Sequence, residues 1–588
     1  MTVRSAFLAA ALALVQACAK DVVGPAPISD LAGFWDWTAR RDFPSDSTVC
    51  SDTGSFVFVR QGAGIVGTAQ WVGHCTGGGA FSYSETDSLR SIVISGSTLT
   101  FVRSLGFGTC ADTASTAPGT ADELAGTATC STSRVTWHAV RGQPLASVSV
   151  SPATLLTVPG ATPALTAVLR TSTGSRAFGR AVTWSTDIAG VVAVDSSGLV
   201  TPLAAGTANV TATAEGHSSS AAVTVLAPTS FGSVGAGDAC TCALGADGYA
   251  YCWGLTPAIG RSTLPVPAPG AMRFTTVATG HRFACGLGSG GAAYCWGANE
   301  SGQLGNGSQA DSAAPVPVAG GHAFVSVSAG GHHACGLTSG GAAWCWGAGD
   351  NGQLGGGSTA SSAVPVPVTG GRVFVALSAG AYHTCGVLTG PGTLYCWGDN
   401  SAGQIGDSTT VARAAPVPVW GGVVRVSAGF LHTCAVVSSG AAYCWGSGGA
   451  GQLGTGSTAD QGSPAPVAGG HSFVAISAGL IHSCGVDAAG AAWCWGVNSW
   501  GQLGNGSTAA VPAPSPALVS GELTFTSVSA GLYGYSDEAI NTGTAAHTCG
   551  VTSEGVAYCW GVNNLGQVGN GQTSFSAVVT PTKVSGQP

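Results

Sequence analysis

The chain has 588 residues, of which 93 are Gly, only 8% are charged and 45% are hydrophobic, with a formal net charge of −8. Lys20 and Lys583 are the only lysines, so the basic patches that displace counterions from nucleic-acid phosphates are absent. The 16 tryptophans and the apolar content argue against a disordered chain, and the length requires several cores. Short alternating polar–apolar runs rich in Val, Thr, Ala and Ser, without long 3.6-residue periodicity, predict an all-β protein.

Residues 1–17 read as an export signal. Arg4 supplies the positive start, and "AFLAAALALV" is an apolar core too short to cross a bilayer. The following "VQAC" resembles a bacterial lipoprotein signal, which implies cleavage before Cys18 and acylation of its thiol. The competing reading is ordinary cleavage near Ala17 or Ala19, which leaves no anchor. Twenty cysteines in an exported chain point to disulfides. Both readings place the protein in the bacterial cell envelope or outside the cell, and a membrane would be touched only through a lipid on Cys18.

Residues 28–142 form a first region of alternating strands, including Trp35, Trp37, Trp71 and Trp137, which predicts a small β-barrel or sandwich. Cys50, Cys75, Cys110 and Cys130 allow three pairings, of which Cys50–Cys75 with Cys110–Cys130 is the simplest. A filled interior is the expectation for a barrel of this size.

Residues 143–227 carry about seven short strands with turns at "DSSG" and "AAG", the pattern of a β-sandwich. "VTWST", "VAVDSSGLVTPLAAGTANVTA" and the closing "AAVTV" make the region similar to the bacterial Ig-like group 2 family. That resemblance implies a spacer or adhesive module; the strand pattern itself places Trp184 in the core.

Residues 228–588 are a repeat array. One cysteine recurs at 242, 285, 335, 385, 434, 484 and 549, mostly 49 or 50 residues apart. In a typical copy "FVSVSAG" alternates as a strand, and "HHACGL" and "AAWCWG" flank the turn "TSGG" as a hairpin. A three-residue turn at 339–341 sets Cys335 opposite Cys345. Opposed antiparallel residues lie about 4.5–5.5 Å apart, within disulfide reach. The same argument pairs Cys242–Cys252, Cys285–Cys295, Cys385–Cys396, Cys434–Cys444, Cys484–Cys494 and Cys549–Cys559. Zinc ligands would come as CxxC pairs, which these are not.

The alternate prolines of "APVPV" suit an outer edge strand. Four strands per copy, seven times over, predict a seven-bladed β-propeller. Because the array opens on "FGSVGAG" and ends on "VVTPTKVSG", the two ends are expected to share one blade and lock the ring. "CWGANESGQLGNGS", "CWGDNSAGQIGDS" and "CWGVNNLGQVGNG" resemble the repeat of the regulator of chromosome condensation family, which implies the same seven-bladed fold. The first copy, "CWGLTPAIGRS", lacks the GQLG core and is expected to have a distorted loop.

His333, His383, His432, His482 and His547 share one position, two before a cysteine, which Cys240 and Phe283 occupy in the first two copies. Period two puts each on its cysteine's face, wedged between blades, and five blades lie too far apart to share one metal ion. Cys240 is the odd thiol, expected to be buried and free. Trp253, Trp296, Trp346, Trp397, Trp445, Trp495 and Trp560 follow the second cysteines and are expected to pack between blades. GQLGNGS lacks GK[ST] and a following helix, so it is no phosphate loop. No cofactor or metal site is expected.

The last copy inserts "LYGYSDEAINTGTAA" at 532–546, where Tyr533, Tyr535, Asp537 and Glu538 are candidate binding residues. The array holds 13 acidic and 7 basic side chains, net −6, which argues against chromatin contact. Only four of its acids are glutamates, Glu300, Glu522, Glu538 and Glu554, and no paired acid–base spacing is visible, which disfavours catalysis. The expected function is a monomeric binding scaffold for an extracellular protein or polymer. The alternatives are an enzyme inhibitor, as some exported members of the family are, and a lyase or hydrolase acting in the propeller channel.

Overall fold

The computed structural model describes strands between residues 33 and 141 through backbone pairing, and residues 144–588 with side chains except 175, 178–179, 228, 256–259 and 532–545. Every described element is a strand, and the chain divides into two compact units.

The first unit begins with one eight-stranded antiparallel sheet. Its first strand, Gly33–Asp42, pairs with both the second, Val49–Gln61, and the last, Ser133–Arg141. The strand order is that of an up-and-down meander joined first-to-last, and among the described residues the fifth and sixth strands do not pair. Cys50 stands directly opposite Cys75 in the register. Cys18 and Cys110 lie outside the described residues.

Residues 145–225 form sheets of four, three and two strands around Leu165, Val192, Val200, Val210, Ala212 and Val223, all at most 2% exposed. This is the expected sandwich, built from nine strands. Trp184 is half-buried, short of the core position expected for it. Its indole lies over Gly198, whose φ of +87° and contact with the ring leave no room for a Cβ.

The propeller consists of seven four-stranded sheets, one per repeat. Blades 1 to 7 span residues 231–267, 276–317, 324–367, 374–420, 423–466, 473–518 and 525–583. In each, strand a (Phe324–Ala329 in blade 3) leads into the cysteine hairpin, strands b (His333–Thr338) and c (Ala343–Gly347). The proline-spaced strand d (Ser362–Pro367) forms the outer edge, as its missing donors require. A β-bulge falls after the first residue of strand a in six blades, between Phe324 and Ser326 in blade 3.

The expected shared blade does not occur. Residues 231–236 are strand a of blade 1 and residues 574–583 are strand d of blade 7, so each end completes its own sheet. The repeats are in phase with the blades, and the ring closes by packing of blade 1 on blade 7. Phe231, Tyr251 and Trp253 share one core with Cys549, Val551, Cys559 and Val568.

The seven predicted disulfides are formed between directly opposed residues, with Cα atoms 4.0–4.1 Å apart. All fourteen sulfurs belong to residues no more than 3% exposed. Cys240 is free and buried. Alkylation of unfolded, unreduced protein, mapped by peptide mass, is expected to label Cys240 alone among the fifteen cysteines of the propeller, and native protein is expected to resist labelling there.

Candidate functional site: the channel mouth

Most of the repeated polar side chains are committed to joints between blades. The indole N–H of Trp397 donates to the carbonyl of Gln353 in the preceding blade's exit loop at 2.9 Å, and the Thr384 hydroxyl donates to that same oxygen at 2.9 Å. The Thr384 oxygen lies 2.8 Å from Nε2 of His333, again in the preceding blade. The hydroxyl has one proton and gives it to Gln353, so it must accept from His333, which fixes the Nε2–H tautomer. The same relay joins His383 to Thr433, His432 to Ser483, His482 to Thr548 and His547 to Thr241. The last of these crosses the ring closure, where Thr241 and Trp253 both donate to the Gln567 carbonyl.

Burial pushes His333, His432 and His547 down to about 3, and His383 and His482 down to about 4, so all five are neutral. Each is fully buried and bound to its neighbour blade, which is the wedged position expected from the pattern. The positions that lack histidine break the relay consistently: Cys240 faces a blade with Ala284 and Phe283 one with Ala334, where the others carry Thr or Ser. Blade 1, which lacks the Gln, offers no such carbonyl to Trp296, and among the described residues no acceptor pairs with that indole.

The exit-loop glycines serve the same joint. Gly355, at φ +70°, sits against the Trp397 ring, and a Cβ there would approach within 2.7 Å. Gly355→Ala is expected to lower stability by about 1–3 kcal/mol in chemical unfolding, from strain at positive φ and the clash.

The turns between strands a and b carry side chains that these joints do not use. These turns abut in sequence around the ring. The amides of His281, Gly331, Ala381, Phe430 and Leu480 donate to the carbonyls of Gly330, Gly380, Gly429, Gly479 and Gly531 in the following blades, at 2.8–3.1 Å. They form one mouth of the propeller, and here the repeat is not kept. The two turn positions read Asp238–Ala239, His281–Arg282, Gly331–His332, Ala381–Tyr382, Phe430–Leu431 and Leu480–Ile481.

Blades 1 to 3 make this mouth polar. Oδ2 of the Asp238 carboxylate, 1% exposed, is 3.2 Å from Nδ1 of His281. The His281 and His332 rings are 5.0 Å apart, and Nδ1 of His332 is 3.5 Å from the exposed Glu300 carboxylate. Burial raises Asp238 to about 6 against the pull of Arg282, and burial with the neighbouring His332 and Arg282 pushes His281 down to about 4. Burial and the Asp238 charge push Cys240 up to about 12, so its thiol is unreactive. Arg282 has φ +57°, a left-handed conformation that non-glycine residues seldom hold, and its side chain is exposed. Blades 4 to 6 make the opposite half apolar, with Tyr382 and Phe430 packed edge-to-face at 5.4 Å.

Tyr533, Tyr535, Asp537 and Glu538 lie outside the described residues, but the insertion leaves and rejoins blade 7 at Gly531 and Ala546, on this mouth. Asp238, His281, Arg282, His332 and Tyr382 were not among the residues expected from sequence. The signal available was the lack of repetition at the two positions before each histidine slot. The acid–imidazole pair itself is invisible in sequence, since its members are 43 residues apart and meet only because neighbouring turns touch. No group of three or more His, Cys, Asp and Glu side chains fit to hold a metal ion occurs among the described residues.

Residues 144–225 match the bacterial Ig-like domain (group 2), residues 203–536 the RCC1-like domain, and residues 539–567 the regulator of chromosome condensation (RCC1) repeat. No curated protein matches. Among solved structures, Prp20p from Saccharomyces cerevisiae, described with its binding to Gsp1p and histones, is 21% identical over 57% of this chain and 85% of its own, with a TM-score of 0.50. Yeast RCC1 (Prp20) in its complex with Kap60 gives 20% identity over 57% and 83%, also at 0.50. Human WBSCR16 is 19% identical over 55% and 87%, at 0.48. These identities speak to the fold alone, but the RCC1-like match runs over more than half of the residues: this chain belongs to the RCC1-like domain family.

Proposed function

We propose that this protein is an exported scaffold, anchored in the bacterial cell envelope or secreted, that holds an extracellular protein or polymer at the mouth of its propeller. One observation carries the reading: many of the residues that recur build joints between blades, whereas the turns between strands a and b, which abut around one end of the ring, differ from blade to blade. Binding surfaces combine Arg and aromatic anchors with surrounding apolar contacts, and the rim supplies Arg282, His332 and Tyr382 beside Phe430. The disulfides and the Ig-like domain are consistent with an exported protein. In this reading the Ig-like domain is a spacer, and Cys18 is the lipid attachment point.

An enzyme inhibitor would be the same scaffold with an enzyme as its partner. A channel enzyme is disfavoured, because Asp238 is sealed beneath His281 and a general acid must reach the proton it transfers.

The test is capture of extracellular proteins and polysaccharides by immobilised full-length protein. Loss of the captured species in the triple variant Arg282→Ala, His332→Ala, Tyr382→Ala, with retention in a Val325→Ser, Val375→Ser variant altered at the opposite end of strand a, is the expected result. Equal capture by all three proteins would overturn the assignment to this mouth.

A further inference from the structure

The joints between blades are not alike. Five bonds recur at the mouth end of a joint. The imidazole meets a hydroxyl of the next blade, and the next blade's indole donates to the exit-loop carbonyl. An exit-loop amide donates to the next strand d (Gly357 to Ala414), and a turn amide to the next glycine carbonyl (Gly331 to Gly380). The amide of the last residue in strand a donates to a serine of the preceding blade (Ala379 to Ser328). All five join blades 3 to 4, 4 to 5, 5 to 6 and 6 to 7. Blades 2 and 3 keep three of them. At the ring closure the four that fall on described residues are present. Between blades 1 and 2 none is formed among the described residues. There Cys240 and Ala284 replace the imidazole and the hydroxyl, and Gly235 replaces the serine. Strands c and d of blade 1 run on as a hairpin, Leu255 opposite Arg261, where other blades have the exit loop.

Buried polar atoms are left over at this joint. Thr279 lies against Gly235, and its hydroxyl, like Oδ1 of Asp238, is buried without a partner. Beyond the Asp238–His281 contact, the two blades share an apolar core containing Ala250, Ala268, Ala284 and Trp296, which imposes no direction. The far end of the joint is held. The Phe274 amide donates to the Gly248 carbonyl at 2.7 Å, a bond that recurs at every joint. Arg273 donates to the Asp247 carbonyl and places its guanidinium 4.8 Å from the centre of the Tyr249 ring. A buried disulfide staples strands b and c within each blade, so movement here separates two intact sheets and unravels neither.

We propose that the wheel has one hinged joint: blades 1 and 2 part at the mouth, turning about the Phe274–Gly248 and Arg273–Asp247 contacts, and the opening uncovers Cys240. This holds whatever the mouth binds. The chain runs directly from blade 1 into blade 2, so the parted blades stay tethered and reclose. The ring closure, which no peptide segment spans, carries the bonds that this joint lacks.

Cys240 is its own reporter. Folded full-length protein is held with excess iodoacetamide at several urea concentrations below the unfolding transition. Modification of Cys240 is followed by peptide mass, and the stability of the propeller is measured in parallel by tryptophan fluorescence. Labelling is expected to be too slow to register in a brief treatment, yet at least about tenfold faster than global unfolding permits. Its urea dependence is expected to be less than about half that of global unfolding, because a local opening exposes little surface. Two variants favour the closed joint. Thr279→Val replaces an unpartnered buried hydroxyl with a methyl group of the same shape. Gly235→Ser with Thr279→Ala supplies the missing serine and removes the hydroxyl that its Cβ would strike. Each is expected to slow labelling at least about threefold, with melting curves showing that it is folded. If the double variant does not fold, Thr279→Val decides alone. Labelling that follows global unfolding in both rate and urea dependence would overturn the hinge, and so would unchanged labelling of the folded variants.

Discussion

Thr433→Ala is expected to destabilise the propeller by about 2–4 kcal/mol in chemical unfolding, far more than the loss of one hydroxyl at a surface would. The Thr433 hydroxyl links two groups, Nε2 of His383 and the carbonyl of Gln404. Its removal leaves the His383 N–H buried without a partner, and the Gln404 carbonyl retains only Trp445. The chain contains its own compensating experiment. Where the preceding blade has Phe283 in place of histidine, the facing residue is Ala334. His383→Phe added to Thr433→Ala should therefore recover stability to within about 1 kcal/mol of the native protein, a strongly non-additive pair. If the double variant is as weak as the sum of the singles, the relay is not what holds the joint.

Acid sensitivity is the second large effect expected. Each relay histidine has a folded value near 3 or 4, against 6.5 unfolded. The unfolded chain therefore binds protons that the folded chain refuses. The stabilisation is complete above about pH 6.5 and is lost as pH falls from there towards 4. Asp238 works in the opposite sense: its raised value means that the folded state keeps a proton between about pH 6 and 4 that the unfolded state releases, offsetting one histidine. At roughly 1–2 kcal/mol per histidine between pH 7.5 and 5, the melting temperature should fall by on the order of 10 °C. Calorimetry across that range checks it, and a flat profile would show that the imidazoles are not shut away from protons. Converting two junctions to Phe and Ala should shallow the slope by about two protons.

Much of the wheel was legible because its causes are local. A ten-residue cysteine spacing fixes the hairpin register, alternate prolines mark an edge, and a fifty-residue period counts blades. The closure was misread because sequence fragments at the two ends looked complementary, although each end supplies a strand that its own blade already needs. The relay was readable in principle: Thr or Ser precedes the hairpin cysteine wherever the blade before it has histidine, and Ala wherever it does not. That pairing links positions about fifty residues apart, and it becomes visible only when copies are compared as neighbours rather than as repeats. The rim could not be composed from sequence, since nothing in the chain says that six short turns meet at one place.

The bonds that close the ring are those that join blades 3 to 7 to one another. His547, Thr241, Gln567 and Trp253 form the same relay across the ends as His383, Thr433, Gln404 and Trp445 form within the chain. Covalent order is therefore irrelevant to the joint. New termini opened in a surface loop of another blade, with the old ones tied together, would leave every inter-blade contact in place, and a duplicate of any of blades 4 to 7 would arrive already equipped to bond on both sides. The wheel has no first blade, and a lineage could change where its circle is cut without redesigning the spokes.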